Sequence, residues 1–352
     1  MQKYEFLFLD FMVQNSHKVY CNAVIENLSL HGDAVVIEKK DYIDDKNKKY
    51  KVFEIKTKEI EGNYPFKARY NTVYNFYQAM KVIENMSFEK VIVLGYDPVM
   101  FYFMFKRLKK IGDLYLVQHH QLDEVSCSWI KRKMWNEYKD KVHHILLDDS
   151  IADLASDYFD IKKNQIHILP HPISNDKVNA IKKNRDKDII RVLAISQSND
   201  INQMQNIVDF ERKTRFFENN KIQIIIRNYN DIDVSGLMAF RVINGFMPIK
   251  EYVRLNDMAD IILMPFPLDY KFRCSGTLID ALSARKKIIS SNIIESAAYA
   301  KKFPSICKIY DDVSLIGKQI LELYCENDIA VYDDFVNYQE YMKNKGVAEI
   351  CS

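Results

Sequence analysis

The chain lacks paired cysteines. Its six, Cys21, Cys127, Cys274, Cys307, Cys325 and Cys351, form no CxxC motif and stand at no zinc-ligand spacing with histidine. That removes the case for a disulfide scaffold or a structural zinc site and leaves free thiols in a reducing cytoplasm as the expectation. Long apolar runs are missing too. The longest, VMFYFMF at 99–105, falls far short of the roughly 20 residues that span a bilayer. The opening MQKYEFLFLDFMVQNSHK has an apolar stretch but no small-residue cleavage site, so no secretory signal is expected. Charge of one sign is absent as well: 50 Lys and Arg stand against 48 Asp and Glu, a net +2. The whole chain therefore makes no case for nucleic-acid binding. A soluble protein, resting at most on a membrane surface, is expected. With 352 residues, 48% hydrophobic and 28% charged, the chain has room for two domains with separate cores.

What is present is alternation. YEFLFLDF (4–11) precedes a helical stretch from His17 to Leu30, then AVVIE (34–38). KVIVLGY (90–96) precedes PVMFYFMFKRLKKI, then DLYLVQHH (113–120). VHHILL (142–147) leads into DSIADLASDYF and QIHILPHPI (165–173). After a polar stretch, SNDKVNAIKKNRDKD (174–188), the alternation restarts with IIRVLAIS (189–196) and a helix around Asn202–Asn219. KIQIIIRN (221–228), RVINGF (241–246), a short helix from Pro248, SICKIY (305–310) and helices at Val313–Asn327 and Tyr332–Asn344 complete it. Strand and helix in this order predict parallel sheets covered on both faces. The expected organisation is one α/β domain over 1–173, a linker over 174–188, a second domain over 189–330 and a closing helix in 331–352. Ligands in such sheets bind at strand carboxyl ends, here in the cleft that two doubly wound domains would face.

The stretch ADIILMPFPLDYKFRCSGTLIDALSARKKIISSN (259–292) carries the most chemistry. An apolar run ending at proline reads as a buried parallel strand. Ser275, Gly276 and Thr277 then open a helix, LIDALSARKK. Hydroxyls there accept orphan N–H groups, and glycine permits close approach. With Lys271 and Arg273 just before it, this helix start suits a phosphate or diphosphate. Arg227, at the end of KIQIIIR, is a second candidate cation.

These words carry a resemblance. VHHILLDDSIADLASDYFDIKKNQIHILPHPI, and the run from RVINGFMPIKEYVRLNDMADIILMPF to SGTLIDALSARKKIISSN, resemble retaining GT-B glycosyltransferases of glycosyltransferase family 4, with the chain a divergent member. The resemblance implies the GT-B fold, two doubly wound Rossmann-like domains facing a cleft. It implies transfer of a hexosyl unit from a nucleotide-diphosphate-sugar to an acceptor hydroxyl, with retention and without a metal or other cofactor. The first domain would hold the acceptor and the second the donor. It further implies that Asp280, in LIDALSA, accepts hydrogen bonds from the donor ribose, and that Gly245 and Phe246 hold the nucleobase. His119 or His120 would reach the donor sugar, with His119 aligning slightly better. His171 would fix the hinge strand. A departing nucleoside diphosphate builds negative charge that N–H groups and arginines must offset, which gives Arg273 a catalytic role.

The chain departs from that pattern at two places. Counting back eight residues from Asp280 reaches Phe272, where the family has a glutamate, and DFMVQNSHK lacks the usual glycine pair. Asn15 or Ser16 would fill that space, and Asp123 and Glu124 are candidate acceptor ligands. Asp231–Ile232–Asp233 spells a DxD motif but reads as a solvated turn, and His143–His144 on a strand is no zinc site. Arg107, Lys109, Lys110 and IKRKMWNEYKDK (130–141) supply basic, amphipathic surface suited to the inner face of the plasma membrane. The expected acceptor is a glycan or lipid-linked saccharide of bacterial surface-polysaccharide assembly. Two other readings stay open: a nucleotide-sugar 2-epimerase on the same frame, and a non-catalytic nucleotide-sugar-binding scaffold.

Overall fold

The computed structural model describes residues 2–12, 17–39, 50–55, 65–171, 189–228, 232–245, 247–343 and 350. Asn15, Ser16, Asp231, Phe246, Cys351 and the stretch 174–188 lie outside the described residues. The chain divides into two compact units, Met1–Pro172 with Lys345–Ser352, and Ile173–Asn344.

The first unit contains β1 (Gln2–Asp10), α1 (Lys18–Leu28), β2 (Ala34–Lys39), β3 (Lys51–Ile55), α2 (Pro65–Val82), β4 (Met86–Gly95) and α3 (Pro98–Leu108). It continues with β5 (Asp113–Val117), α4 (Gln121–Cys127), α5 (Trp129–Asn136), β6 (His143–Leu146), α6 (Ala152–Phe159) and β7 (Ile166–Ile168). The strands form one parallel sheet, ordered β3-β2-β1-β4-β5-β6-β7. Val91, Ile92 and Val93 of β4 are all fully buried. A strand buried on both faces reads as an unbroken apolar run rather than an alternation. α3 starts where Asp97 accepts from the N–H groups of Val99 and Met100, both at 2.9 Å, with Pro98 at the first helical position. Asp, which caps orphan donors, and Pro, which has none to lose, set that boundary. Within the basic stretch 130–141 the helix stops at Asn136, and a single 3-10 turn, Lys139–Lys141, follows.

The second unit contains β8 (Ile190–Ala194), α7 (Ile201–Thr214), α8 (Phe216–Asn219), β9 (Ile222–Asn228), β10 (Phe240–Asn244), α9 (Ile249–Met258) and β11 (Ile261–Met264). It continues with α10 (Gly276–Ser283), β12 (Lys287–Ser291), α11 (Ile294–Lys302), β13 (Cys307–Tyr310), α12 (Ser314–Cys325) and α13 (Asp328–Lys343). Its parallel sheet is ordered β10-β9-β8-β11-β12-β13. β11 shows how one strand serves two cores. Ile261 and Leu263 join Met204, Ile207, Phe217, Ile316 and Ile320 on one face, while Ile262 and Met264 join Leu278, Leu282, Tyr299 and Phe335 on the other. The period-two alternation of strand side chains requires this division. Each fully buried Leu, Ile or Phe contributes about 1.5–3 kcal/mol of burial free energy. The helix expected over Asn202–Asn219 is broken at Arg215, whose φ of 52° ends α7 in the left-handed region. The helix expected in 331–352 runs Asp328–Lys343 in the second unit, and Ile350, fully buried, belongs with the first.

Both sheets reverse direction of growth at one point, between β1 and β4 in the first and between β8 and β11 in the second. In open parallel sheets that switch point, at the strand carboxyl ends, is where ligands bind.

Candidate functional site

In the second unit the switch point opens onto the start of α10. Ser275 is its N-cap: its Oγ accepts from the Leu278 N–H at 3.2 Å. The Ser275 N–H donates in turn to Oε2 of the fully buried Glu295, at 2.9 Å. Gly276 and Thr277, the first two helical residues, keep N–H groups that no helix of its own can satisfy. Thr277 Oγ1 lies 3.2 Å from Ser196 Oγ, which ties α10 to the residues just past β8. Ser196, Gln197, Asn199, Ile201, Met204, Arg227 and Ile232 line a cavity of about 360 Å³. Arg227, half-buried at the end of β9, donates from Nε to the Gly245 carbonyl at 3.2 Å. Gly245 itself has φ +79° and open space around the position of a Cβ. A glycine is what such a backbone calls for.

The loop that leads to α10 is braced from below. The Phe266 carbonyl accepts from Ser291 Oγ at 2.8 Å and also from the Gln203 amide. The Phe266 and Tyr270 rings stack, centroids 5.0 Å apart and 10° from parallel. The Arg273 guanidinium lies over the Tyr270 ring, 4.2 Å from its centroid. The Tyr270 hydroxyl donates to the Cys274 carbonyl at 3.2 Å. A planar cation on an aromatic face is attracted by the ring quadrupole and held in orientation. Lys271 is exposed on this loop, whereas Phe272 is core, 1% exposed. Asp280 stands on the outer side of α10, and desolvation raises its carboxyl above the usual range. The same carboxyl helps burial push the Tyr252 hydroxyl up to about 12.

In the first unit the end of β5 is held by the end of β4. Gln121, fully buried, accepts on Oε1 from the N–H groups of His119 at 2.8 Å and His120 at 3.1 Å, and donates from Nε2 to the Tyr96 carbonyl at 3.1 Å. His119 is buried with Nε2 3.0 Å from the Leu94 carbonyl. A carbonyl can only accept, so Nε2 carries the hydrogen and Nδ1 the lone pair. Beneath, Tyr96 donates to Gln118 at 2.9 Å, and Gln118 Nε2 lies 3.0 Å from His144 Nδ1. His144 Nε2 is 3.0 Å from the Lys139 carbonyl, which fixes that ring's tautomer as well. Trp135 lies against His144 and Phe159 in the same core. His120 is half-buried, its Nε2 3.5 Å from Glu124, which also pairs with Lys131 at 2.8 Å. Asp123 is buried. Burial lowers His119 well below the ordinary imidazole value, and the neighbouring His17, His120 and His171 push the same way.

The structure therefore ties the start of α10 through Thr277 and Ser196 to the cavity that Arg227 lines, and Arg227 to Gly245. It also separates the two adjacent histidines into one buried and one half-exposed. Sequence reasoning missed Ser196, Gln197 and Asn199, although IIRVLAIS ends at the first of them, and missed Gln121 and Glu295, whose roles depend on contacts distant in sequence. Asp233 serves its own turn, accepting from the Ser235 N–H at 2.9 Å and pairing with Arg212 at 3.6 Å. His143 Nδ1 lies 2.9 Å from His167 Nε2. Among the described residues no cluster of His, Cys, Asp and Glu could hold a metal ion, and no helix is long and apolar enough to cross a membrane.

No protein-family model matches the chain, and no curated protein matches it. Solved structures do. Sucrose-phosphate synthase from Thermosynechococcus elongatus aligns with a TM-score of 0.69 at 11% identity, covering 100% of this chain and 96% of that one. Trehalose 6-phosphate synthase from Burkholderia multivorans aligns at 0.62 and 8% identity, covering 100% and 97%. WaaG, a glycosyltransferase involved in lipopolysaccharide biosynthesis, aligns at 0.58 and 10%, covering 97% and 95%. At such identities the likeness speaks for architecture alone, and the architecture, two parallel α/β sheets of seven and six strands, is the GT-B fold of the glycosyltransferases.

Proposed function

We propose that the chain is a glycosyltransferase moving a sugar from a nucleoside-diphosphate-sugar, held by the second unit, to an acceptor hydroxyl presented by the first. The observation that carries this is the serine-capped start of α10 at the carboxyl end of the second sheet, linked through Thr277 and Ser196 to a cavity edged by Arg227. In this reading the N–H groups of Gly276 and Thr277, with Arg273 and Arg227, receive the charge that builds on the departing diphosphate. Lys271 adds a positive charge on the exposed loop before α10. Asp280 takes the ribose hydroxyls, a role its outward position supports. Gly245 and Phe246 flank the base. His120 and His119 face the donor sugar, and Glu124 and Asp123 orient the acceptor. Retention of configuration, a hexosyl donor and a saccharide or lipid-linked acceptor follow from the family resemblance, as does action at the cytoplasmic side of a membrane.

The test is a melting screen against nucleoside diphosphates and their sugar conjugates. One nucleotide at a hundred times its Kd is expected to stabilise the protein by about 2.7 kcal/mol. The same nucleotide should shield the half-buried Cys274 thiol, beside Ser275, from alkylation. A flat response across all bases would sink the transferase reading together with a nucleotide-sugar-binding scaffold, and leave a degenerate scaffold without nucleotide affinity, which the core position of Phe272 favours.

The acceptor side carries a surface suited to lipid. α3 and α5 pack together and contain no acidic residue between them, while Lys106, Arg107, Lys131, Arg132 and Lys133 are basic. Phe103 is 66% exposed, Trp129 75% and Ile130 46%. Exposed aromatics beside Lys and Arg match an anionic bilayer surface. Flotation should bring the protein up with anionic vesicles at low salt and release it at high salt, since screening weakens surface attraction. Failure to float at low salt would remove the membrane from this reading.

A further inference from the structure

His17 occupies the N-cap position of α1, yet its side chain makes no capping hydrogen bond. Ser, Thr, Asp or Asn there would satisfy a helix donor, and histidine forgoes that stabilisation. Its ring is engaged elsewhere. It lies flat on His119, centroids 3.8 Å apart and planes 14° from parallel, with His120 at 6.0 Å. Tyr20, one turn further along α1, packs T-shaped against His119 at 5.2 Å and 83°, while its hydroxyl donates to the Leu169 carbonyl at 3.1 Å. His119 thus has one face covered by His17, Tyr20 packed T-shaped against it and one nitrogen committed to Leu94.

We infer that His17 is a positioning residue: its ring holds the plane of His119, and with it the Nε2–H bond to the Leu94 carbonyl that sets the tautomer, so that Nδ1 of His119 stands as a hydrogen-bond acceptor for a sugar hydroxyl. The inference rests on the reading of His119 as facing the sugar substrate. It names a chemical preference, because an unprotonated ring nitrogen accepts from a hydroxyl and repels a carboxylate or phosphate oxygen. Burial and the adjacent His120 and His171 hold the His17 ring neutral too, lowered to about 4. The other titratable groups facing the stack are His120 with its partner Glu124, His171, and Tyr20.

Two variants of the full chain test it. His17→Phe keeps a flat ring without nitrogens, and His17→Ser removes the ring and puts a preferred N-cap residue type in its place. Long-range nitrogen NMR of histidine-labelled protein reads the His119 tautomer directly and needs no substrate. Wild type and His17→Phe are expected to show His119 as the single Nε2–H form around neutral pH. His17→Ser should show both tautomers in exchange. In sugar-transfer assays kcat should fall ~10–100-fold for His17→Ser, the size of a small misplacement at a reacting centre, with KM nearly unchanged and His17→Phe close to wild type. An unchanged tautomer in His17→Ser overturns the inference whatever the activity. A loss of kcat in His17→Phe equal to that of His17→Ser overturns it as well, since His17 would then act through its own nitrogen. If no donor is turned over even by the wild type, the transferase reading falls, and the NMR result still decides the role of His17.

Discussion

As the pH is lowered from 7 to 4.5, the first unit is expected to unfold before the second. All eight histidines, at 17, 31, 119, 120, 143, 144, 167 and 171, lie in the first unit. His144 is wholly buried, donates to Lys139 and accepts from Gln118, so a second ring proton would face an amide N–H. Burial lowers it to about 4, against about 6.5 in an unfolded chain. The unfolded chain therefore binds the proton first, and folding stability falls as pH drops below 6.5. At about 1.4 kcal/mol per pH unit, His144 alone withdraws roughly 3 kcal/mol by pH 4. His119 moves in the same direction, and the half-buried His17 and His167, each lowered to about 4, add to it. Against a typical domain stability of roughly 5–15 kcal/mol, such losses are decisive. In the second unit the two desolvated carboxyls have the opposite sign, while exposed Asp233, Glu251, Asp312 and Glu322 are lowered by their hydrogen-bond partners. Desolvation raises Asp260 and Asp280, so their contribution is present at low pH and fades as pH rises through their folded values. Pulse-labelled hydrogen exchange, read by peptide, would follow both. Protection lost in 190–228 before 86–146 would show this account to be wrong.

Arg273→Ala should weaken nucleoside-diphosphate binding by about 10–100-fold, the loss of one charge-assisted hydrogen bond at roughly 1.5–3 kcal/mol. The guanidinium is already oriented by Tyr270, itself stacked on Phe266, so little freedom is surrendered when an anion arrives. Arg273→Lys should for that reason rescue poorly: an ammonium neither lies flat on a ring nor presents a fork to a phosphate. Calorimetry with the nucleotide found in the melting screen measures both variants. Affinity within twofold of wild type for Arg273→Ala would place the diphosphate away from the start of α10.

Much of this was legible from local pattern. The β11–α10–β12 unit announces itself because ADIILMP is an apolar run and Ser275 is a capping type ahead of a helix. The parallel sheets follow from alternation alone. β3 did not show, since KVFEI is an edge strand whose first four residues stay partly exposed and give no buried run. α11 was missed because its buried face holds Glu295, Ser296 and Tyr299 in place of an aliphatic stripe. Glu295 is there to bind the Ser275 N–H, a demand set by a different segment. The choice between His119 and His120 was closed to sequence for the same reason: Leu94, Tyr96 and Gln121 decide which ring turns inward. Local preference predicts elements, while site geometry depends on pairs that only the folded sheet brings together.

The chain's two tryptophans both lie in α5, Trp129 open to solvent and Trp135 sealed among His144 and Phe159. Its indole emission is thus a two-colour optical signal from one short helix, to which the second unit contributes no chromophore. An aqueous quencher should dim the red component only, and vesicle contact should protect that component while leaving the blue one untouched. Acid should do the reverse, shifting the blue band red as the core around Trp135 opens. One cuvette can therefore tell docking from unfolding without a label.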